Sequence, residues 1–533
     1  LLAAADHIVT SGLVRWTWTG PASDELVGQL GEFRPTDRET VLEMIEGRYL
    51  LASKLVDTNG VSPFSIDVVH DDWLDDLHAF NWLRHFRDAR AEEERRFART
   101  LALDWIGREG GFDRETWAPS LCARRVLNWL RHYNILLDGA SSDQADTITR
   151  SLATQIQSLR LRGVLATDPV DRLLASIALV GVAICSDLNE DEVSRRLKRV
   201  HRLLDQQIDD DGLHRSRCAR IQLQVLIELT TIKQALGRSH EGLGQEFTDL
   251  LESMHRALDA ISLGTGEPAY FNGTGQLPHD VVVALQAQSP ARARATGVVG
   301  GYGRLISGRS IVVADSGLVP PTEFSSLAHA GALAFEFSHG RDLVVGNCGP
   351  APTGLEGSAH LFRQGIAHSA PTINALSAAA VIQSGPLAGR LLPVGRPPEI
   401  SADEVDQAMV LRTRGYEDRF GVTIERRLTL LAEGKTLVGQ DKLVPSRRNV
   451  TGACAVRFHL AHQSELEDGG DMLRIRLSSG AVWSFLWEGA EMKIEDSVRQ
   501  SAYFGFHRTK QIVLVAHVAE TNEVSWIFTL EEG

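Results

Sequence analysis

Between Leu327 and His368 the chain carries four histidines together with Glu336 and Arg363, while its other histidines are scattered. Imidazole titrates near neutrality and can take or give a proton. A buried carboxyl can be held protonated, and a guanidinium grips a carboxylate through two parallel hydrogen bonds. These types together suit proton transfer beside an acidic ligand. His368, which follows Arg363 and precedes Ser369, is the first candidate for the proton, with His329 and Glu336 as neighbours and Arg363 as the anion clamp. Each also has a plainer role: a histidine satisfied by backbone at a strand end, a glutamate in a salt bridge, an arginine at the surface.

The elements that must position these groups read as a hairpin. Apolar and polar residues alternate through Ala332, Ala334, Glu336 and Ser338, break at His339-Gly340 and resume as Leu343-Val344-Val345. Strand alternation puts His329, Leu333, Phe335 and Phe337 on one face and Glu336 among small residues on the other, with room for a ligand. Downstream, VTIERRLTLL, CAVRFHL, LRIRLSS, VWSFLWEG, IVLVAHV and VSWIFTL are short strands separated by turns, as in an antiparallel sandwich. The first half is helical instead. Phe97, Leu101 and Trp105, then Val126, Leu130, Tyr133 and Leu137, then Ile221, Val225, Leu229, Ile232 and Leu236 keep the helical period, and Gly237 is placed to end the last stripe. Such helices make a solenoid, a bundle or a closed toroid. The change of texture falls between Gln288 and Gly297, which predicts a helical domain over residues 1–295 and a sheet domain over 296–533.

Composition excludes some partners. A formal charge of −14 disfavours nucleic acid, whose phosphates need a basic surface, and requires any cleft for a polyanionic sugar to be locally basic. No run approaches the ~18 apolar residues of a membrane helix. The chain begins without Met: a removed leader would place it in the periplasm, and otherwise it is expected in the cytoplasm. Five cysteines, odd in number and without a CxxC pair, argue against a disulfide framework and slightly favour a reduced compartment.

Further candidates lie outside the hairpin. Tyr270 and Asn272 in EPAYFNGTG, and Tyr302 in GYGRL, sit near the expected junction, where a phenol or an amide could meet a sugar. Arg217 and Arg220 share a helix face if a helix begins near Cys218, and they would supply local positive potential. His459 and His462 point to opposite faces of a flat strand and so cannot chelate one metal together.

The segments AHAGALAFEFSHG, GNCG and FRQGIAHS, with LHAFNWLRHF, CARRVLNWL, QIDDDGLH, FNGTGQ and VRFHLAH in the same order along the chain, resemble the heparinase II/III family of polysaccharide lyases. The resemblance implies an α+β multidomain protein, an (α/α) toroid followed by an antiparallel β-sandwich-like domain, acting on an acidic polysaccharide or exopolysaccharide by β-elimination in the groove between the two. That reaction needs a group to neutralise the uronate carboxylate, a base for the C5 proton and an acid for the departing O4. His368 matches the family's active-cleft histidine as base or acid. Arg363 and Arg217 would bind the anionic sugar, with His214, Asn272, His329, Tyr270, Tyr302 and Glu336 in support, and His459 with His368 would be the place for a zinc ion, as in some relatives.

Two departures stand against this. After DGLH, Arg220, Ile221 and Gln222 occupy the positions where lyase members carry a catalytic tyrosine. Thr167-Asp168-Pro169-Val170 replaces the neutralising pair, and an aspartate there would repel a uronate. The rivals are a hydrolase using carboxylates such as Glu336, Asp280 or Asp211, and a non-catalytic glycan-binding or envelope-biogenesis protein on the same scaffold.

Overall fold

The computed structural model describes residues 2–19, 26–52, 54–66, 71–89, 91–186, 189–237, 245–293, 295–351, 355–448, 450–501 and 505–531. Two compact units emerge, one of residues 1–207, 224–251 and 283–289, the other of 208–223, 252–282 and 290–533.

The first unit is built from helices α1 (Glu92–Glu109), α2 (Pro119–Arg131), α3 (Tyr133–Leu137), α4 (Ser142–Arg162), α5 (Pro169–Cys185) and α6 (Glu190–Gln207), with much of α7 (Ala219–Leu236). The stripe from Val126 to Leu137 is broken at His132, which separates α2 from α3. α4 opens on a capping box of Ser141 and Gln144. Asp168, expected to repel a uronate, is a helix cap: its carboxylate accepts the Val170 amide at 2.8 Å and Pro169 follows in the first turn of α5. In the core the Arg125 guanidinium lies 4.3 Å from the centre of the Trp105 ring and donates to the carbonyls of His78 and Thr116, so a buried charge ties these segments together.

The second unit is mostly sheet. The strands of its two large sheets are β1 (Gly297–Val299), β2 (Tyr302–Ser307), β3 (Ser310–Asp315), β4 (Phe335–His339), β5 (Asp342–Gly346), β6 (Pro371–Ile373), β7 (Glu399–Asp403), β8 (Ala408–Thr413), β9 (Val422–Leu431), β10 (Thr436–Pro445), β11 (Ala453–Leu460), β12 (Glu465–Asp468), β13 (Leu473–Arg476), β14 (Val482–Glu488), β15 (Glu491–Ser501), β16 (Gly505–His517) and β17 (Glu523–Leu530). One antiparallel sheet runs β15-β16-β11-β5-β4-β3-β2-β1, with β6 also paired to β11, and the other runs β7-β8-β9-β10-β17-β14-β13-β12. Phe335, Phe337 and Phe458 of the first sheet share one apolar core with Leu428, Phe485, Trp526 and Phe528 of the second. The expected helices-then-sheets architecture is what the structure has.

The β4–β5 hairpin turns at Gly340-Arg341, with Gly340 at φ 58°, and carries a bulge at Phe337/Ser338. The strand starts at Phe335, later than alternation predicts. Leu333 has φ 62°, and His329 to Ala334 form an irregular approach to the strand. Within β4 the predicted faces hold: Phe335 and Phe337 enter the core, while Glu336 and Ser338 point away from it.

One inward position of β9 is not apolar. Arg426 stands where Val422, Ile424, Leu428 and Leu430 set the core face, opposite Asp441 of β10. Its side chain is fully buried, pairs with Asp441 at 2.6 and 2.9 Å, and donates to the carbonyls of Leu333 (2.8 Å) and Ser369 (3.1 Å). Trp526 donates its indole N–H to the same carboxylate, and its ring fills the space above Gly439, where a Cβ would lie 2.0 Å away. Asp441→Ala leaves an uncompensated buried guanidinium and is expected to cost about 3–5 kcal/mol in urea denaturation, whereas Arg426→Met with Asp441→Leu should cost much less.

Candidate active site

The histidine-rich segment is held together by buried hydrogen bonds of the second unit. His368 donates from Nδ1 to the Gln364 carbonyl at 2.8 Å, which leaves Nε2 as an acceptor. His329 Nδ1 lies 3.1 Å from that Nε2, with the two rings edge to face, so His329 is the donor and keeps a lone pair on its own Nε2. Both imidazoles are pressed toward the neutral form, chiefly by burial. The His329 amide donates to Asn272 Oδ1 at 3.0 Å, and Asn272 Nδ2 donates to the Tyr302 hydroxyl at 2.6 Å and to Asp315 at 3.2 Å. The Tyr302 hydroxyl in turn donates to the Arg217 carbonyl at 2.6 Å, and burial pushes its pKa up.

Arg217 is not on a helix face. It has φ 58°, precedes α7, and is consumed by Asp315 at 2.8 Å, by the carbonyls of Gly300 and Leu318, and by the Tyr302 ring at 4.1 Å. Arg363 donates to the carbonyls of Ala328, Gly389 and Ser325, so it clamps loops and not a carboxylate. His214 sits in its own turn. Its Nδ1 accepts from Ser216, Phe324 packs edge-on against the ring, and burial pulls the pKa down to about 3. Gln222, at a position where a tyrosine was expected, is buried and staples that turn: it accepts the His214 amide and donates to the carbonyls of Gly212 and Met254.

Glu336 does not face open space. Its Oε1 accepts from the Asn347 amide at 2.7 Å and from Arg499 at 3.0 Å; burial raises its pKa and the guanidinium opposes that rise. Arg499 lies 3.9 Å over the ring of Tyr270, whose hydroxyl donates to Gln276 at 2.8 Å. These residues back a cavity of about 370 Å³ whose lining includes Glu267, Gln276, Arg341, Gln500, His462 and His507. His462 and His507 stack face to face there at 3.7 Å.

His459 does not fit a zinc ligand. Nε2 donates to the Ile366 carbonyl at 3.2 Å, and Nδ1 accepts from Ser497 at 2.7 Å, so neither nitrogen is left for a metal. Among the described residues no group of three or more His, Cys, Asp or Glu converges to hold an ion.

Residues 289–527 match the family model described as Heparinase II/III-like, C-terminal. Over those residues the chain is similar to the heparinase II/III-like family. The chain is 26% identical over 489 residues to FtsZ-localized protein C of Caulobacter vibrioides, covering 86% of this chain and 82% of the relative. A crystal structure of heparinase III superposes with TM-score 0.69 at 11% identity, over 99% of this chain and 91% of that one. Heparan sulfate lyase HepC from Pedobacter heparinus gives TM-score 0.56 at 13% identity, over 94% and 84%. At these identities the solved structures establish a shared fold, the scaffold of polysaccharide lyases.

Within the second unit the structure brings His329, His368, Asn272, Tyr302 and Arg217 into one network and Glu336 with Tyr270 into another; the His214 carbonyl accepts the Arg217 amide at 2.8 Å, and the His459 amide donates to Ser369, beside His368, at 2.9 Å. Sequence reasoning missed Asp315 and Arg499, the counter-charges of the two networks. The aspartate that ends β3 before Ser316-Gly317 was a visible turn signal. Nothing local marks Arg499, which reaches Glu336 across 163 residues.

The neutral histidines set a pH dependence. His214 and His459 are each pulled to about 3 by burial, below the ordinary value of 6.5, so their contribution to stability is present above pH 6.5 and is lost as pH falls toward 3. Each such histidine adds a slope of about 1.4 kcal/mol per pH unit in that window. His214→Asn should flatten the stability profile between pH 6 and 4 by about one such slope in urea titrations, and an unchanged slope would show that His214 is protonated in the native state.

Proposed function

We propose that this protein is a non-catalytic binding protein on a polysaccharide lyase scaffold, which engages an envelope glycan and, like its Caulobacter relative, works where FtsZ assembles. The observation that supports this is the spending of the would-be catalytic groups on the protein itself. Tyr302, Arg217, Arg363 and Asn272 all give their polar atoms to internal partners. A catalyst for β-elimination needs these groups free to meet a carboxylate and a departing oxygen. No tyrosine follows the DGLH turn, and Gln222 there is itself committed. The cavity beside Tyr270 and Arg499 offers amides, a guanidinium and stacked imidazoles, a lining that suits a polar sugar.

A second reading, elimination by a reduced set of groups, is favoured by His329 Nε2, which retains a lone pair without a partner among the described residues. In that reading His329 takes the C5 proton and His368 orients it. The carboxylates serve a hydrolase poorly, since Glu336 is paired with Arg499 and Asp211 accepts the Gly300 amide.

Incubation with uronate-containing and neutral polysaccharides, following ultraviolet absorbance, reducing ends and binding in the same samples, separates the readings. Binding with neither absorbance nor reducing ends is expected, together with co-sedimentation with FtsZ polymers. Rising absorbance would establish a lyase, and His329→Ala should then lower turnover by about 10²–10⁴ with little loss of fold.

A further inference from the structure

Helices α4, α5 and α6 of the first unit line an open pocket of about 360 Å³ that none of the functional readings uses. Its floor is apolar and small, lined by the buried Leu159 and Ala175 with Leu179, and the exposed Val164 lies at its edge. At Gly163, the C-cap of α4, a Cβ would meet the Leu159 carbonyl at 2.7 Å and the Ala175 side chain at 2.8 Å, so glycine is what lets α4 close on α5. The rim is made of arginines, Arg160 from α4 and Arg195, Arg196, Arg199 and Arg202 from α6.

On α6 these side chains repeat at spacings of three and four and so share a face, where like charges repel. Glu192 answers part of this charge by pairing with Arg195 at 2.6 Å and Arg196 at 2.7 Å. Arg199 and Arg202 have no ion-pair partner among the described residues. Arg199 touches Ser176 Oγ through Nε at 3.3 Å, and Arg202 reaches the Lys198 carbonyl at 3.4 Å. Burial, with Arg202 beside it, lowers the Arg199 pKa, the mark of a cation without an anion. A chain of net charge −14 that gathers five arginines around one small pocket has built local potential of the opposite sign.

We infer that this pocket binds a phosphate group carried on an apolar substituent. A carboxylate has two oxygens and one charge and satisfies a single guanidinium fork. Phosphate offers more oxygens and charge to arginines arriving from two helices. The apolar floor beneath the rim accommodates the substituent. The same phosphate chemistry is available from a soluble phosphate ester and from a lipid headgroup.

The test uses the full chain at fixed salt, with calorimetric titration of inorganic pyrophosphate and flotation with vesicles of phosphatidylglycerol or phosphatidylcholine. Saturable pyrophosphate binding, or flotation with the anionic vesicles alone, is expected to weaken at least tenfold in Arg199→Gln/Arg202→Gln. The first outcome assigns a soluble ester and the second a headgroup. Arg474→Gln/Lys493→Gln removes the same charge from the other unit and should bind as the parent does. Thermal melts of both variants guard against unfolding. Absence of binding to either probe, equal weakening by both variants, or equal binding of acetate would overturn the assignment.

Discussion

The ion pair of Arg426 and Asp441 is the constraint on which the histidine segment depends. A charge at an inward position of β9 is costly to bury unless it is fully partnered. Asp441 supplies the counter-charge, and the guanidinium directs its remaining donors at the carbonyls of Leu333 and Ser369. Those carbonyls lie just beyond His329 and just beyond His368, so one side chain of the second sheet fixes both segments of the first. Leu333 has a left-handed backbone, and the Arg426 guanidinium holds that residue's own carbonyl. Gly439 and Trp526 complete the arrangement from behind the carboxylate.

Held in this way, the two segments bring His329 and His368 into contact, and Asn272, Tyr302, Asp315 and Arg217 close around them through short hydrogen bonds. In a dry environment each of these bonds is strong and each unpaired group would be expensive. The network therefore rigidifies the segment and leaves few donors for a ligand. The same economy operates around Glu336, where Arg499 and the Asn347 amide meet the carboxylate. Residue types that suit proton transfer are present, and most of their polar atoms are turned inward.

Much of the fold was legible because hydrophobic periodicity is local. The stripe ending at Leu236 and the alternation of β9 read directly as a helix and a strand, and the His339-Gly340 break marked the hairpin turn. What was not legible depended on distant partners. Arg217, Arg363 and Glu336 look available in sequence, and only the folded chain shows that Asp315, three loop carbonyls and Arg499 occupy them. Asp168 looked like a repulsive charge in a cleft and is a helix cap, a role that the following proline signalled. The strand expected to run through Ala332 and Ala334 starts only at Phe335 for a similar reason: alternation cannot reveal the left-handed residue at Leu333, whose carbonyl is bound by the distant Arg426.

The central claim is that the paired imidazoles are neutral and internally hydrogen-bonded, which histidine-selective ¹⁵N nuclear magnetic resonance across pH 5 to 8 tests most directly. Both rings are expected to titrate below the ordinary imidazole value, with the proton of neutral His368 on Nδ1. Titration of either ring near 6.5, or a proton on His368 Nε2, would contradict it.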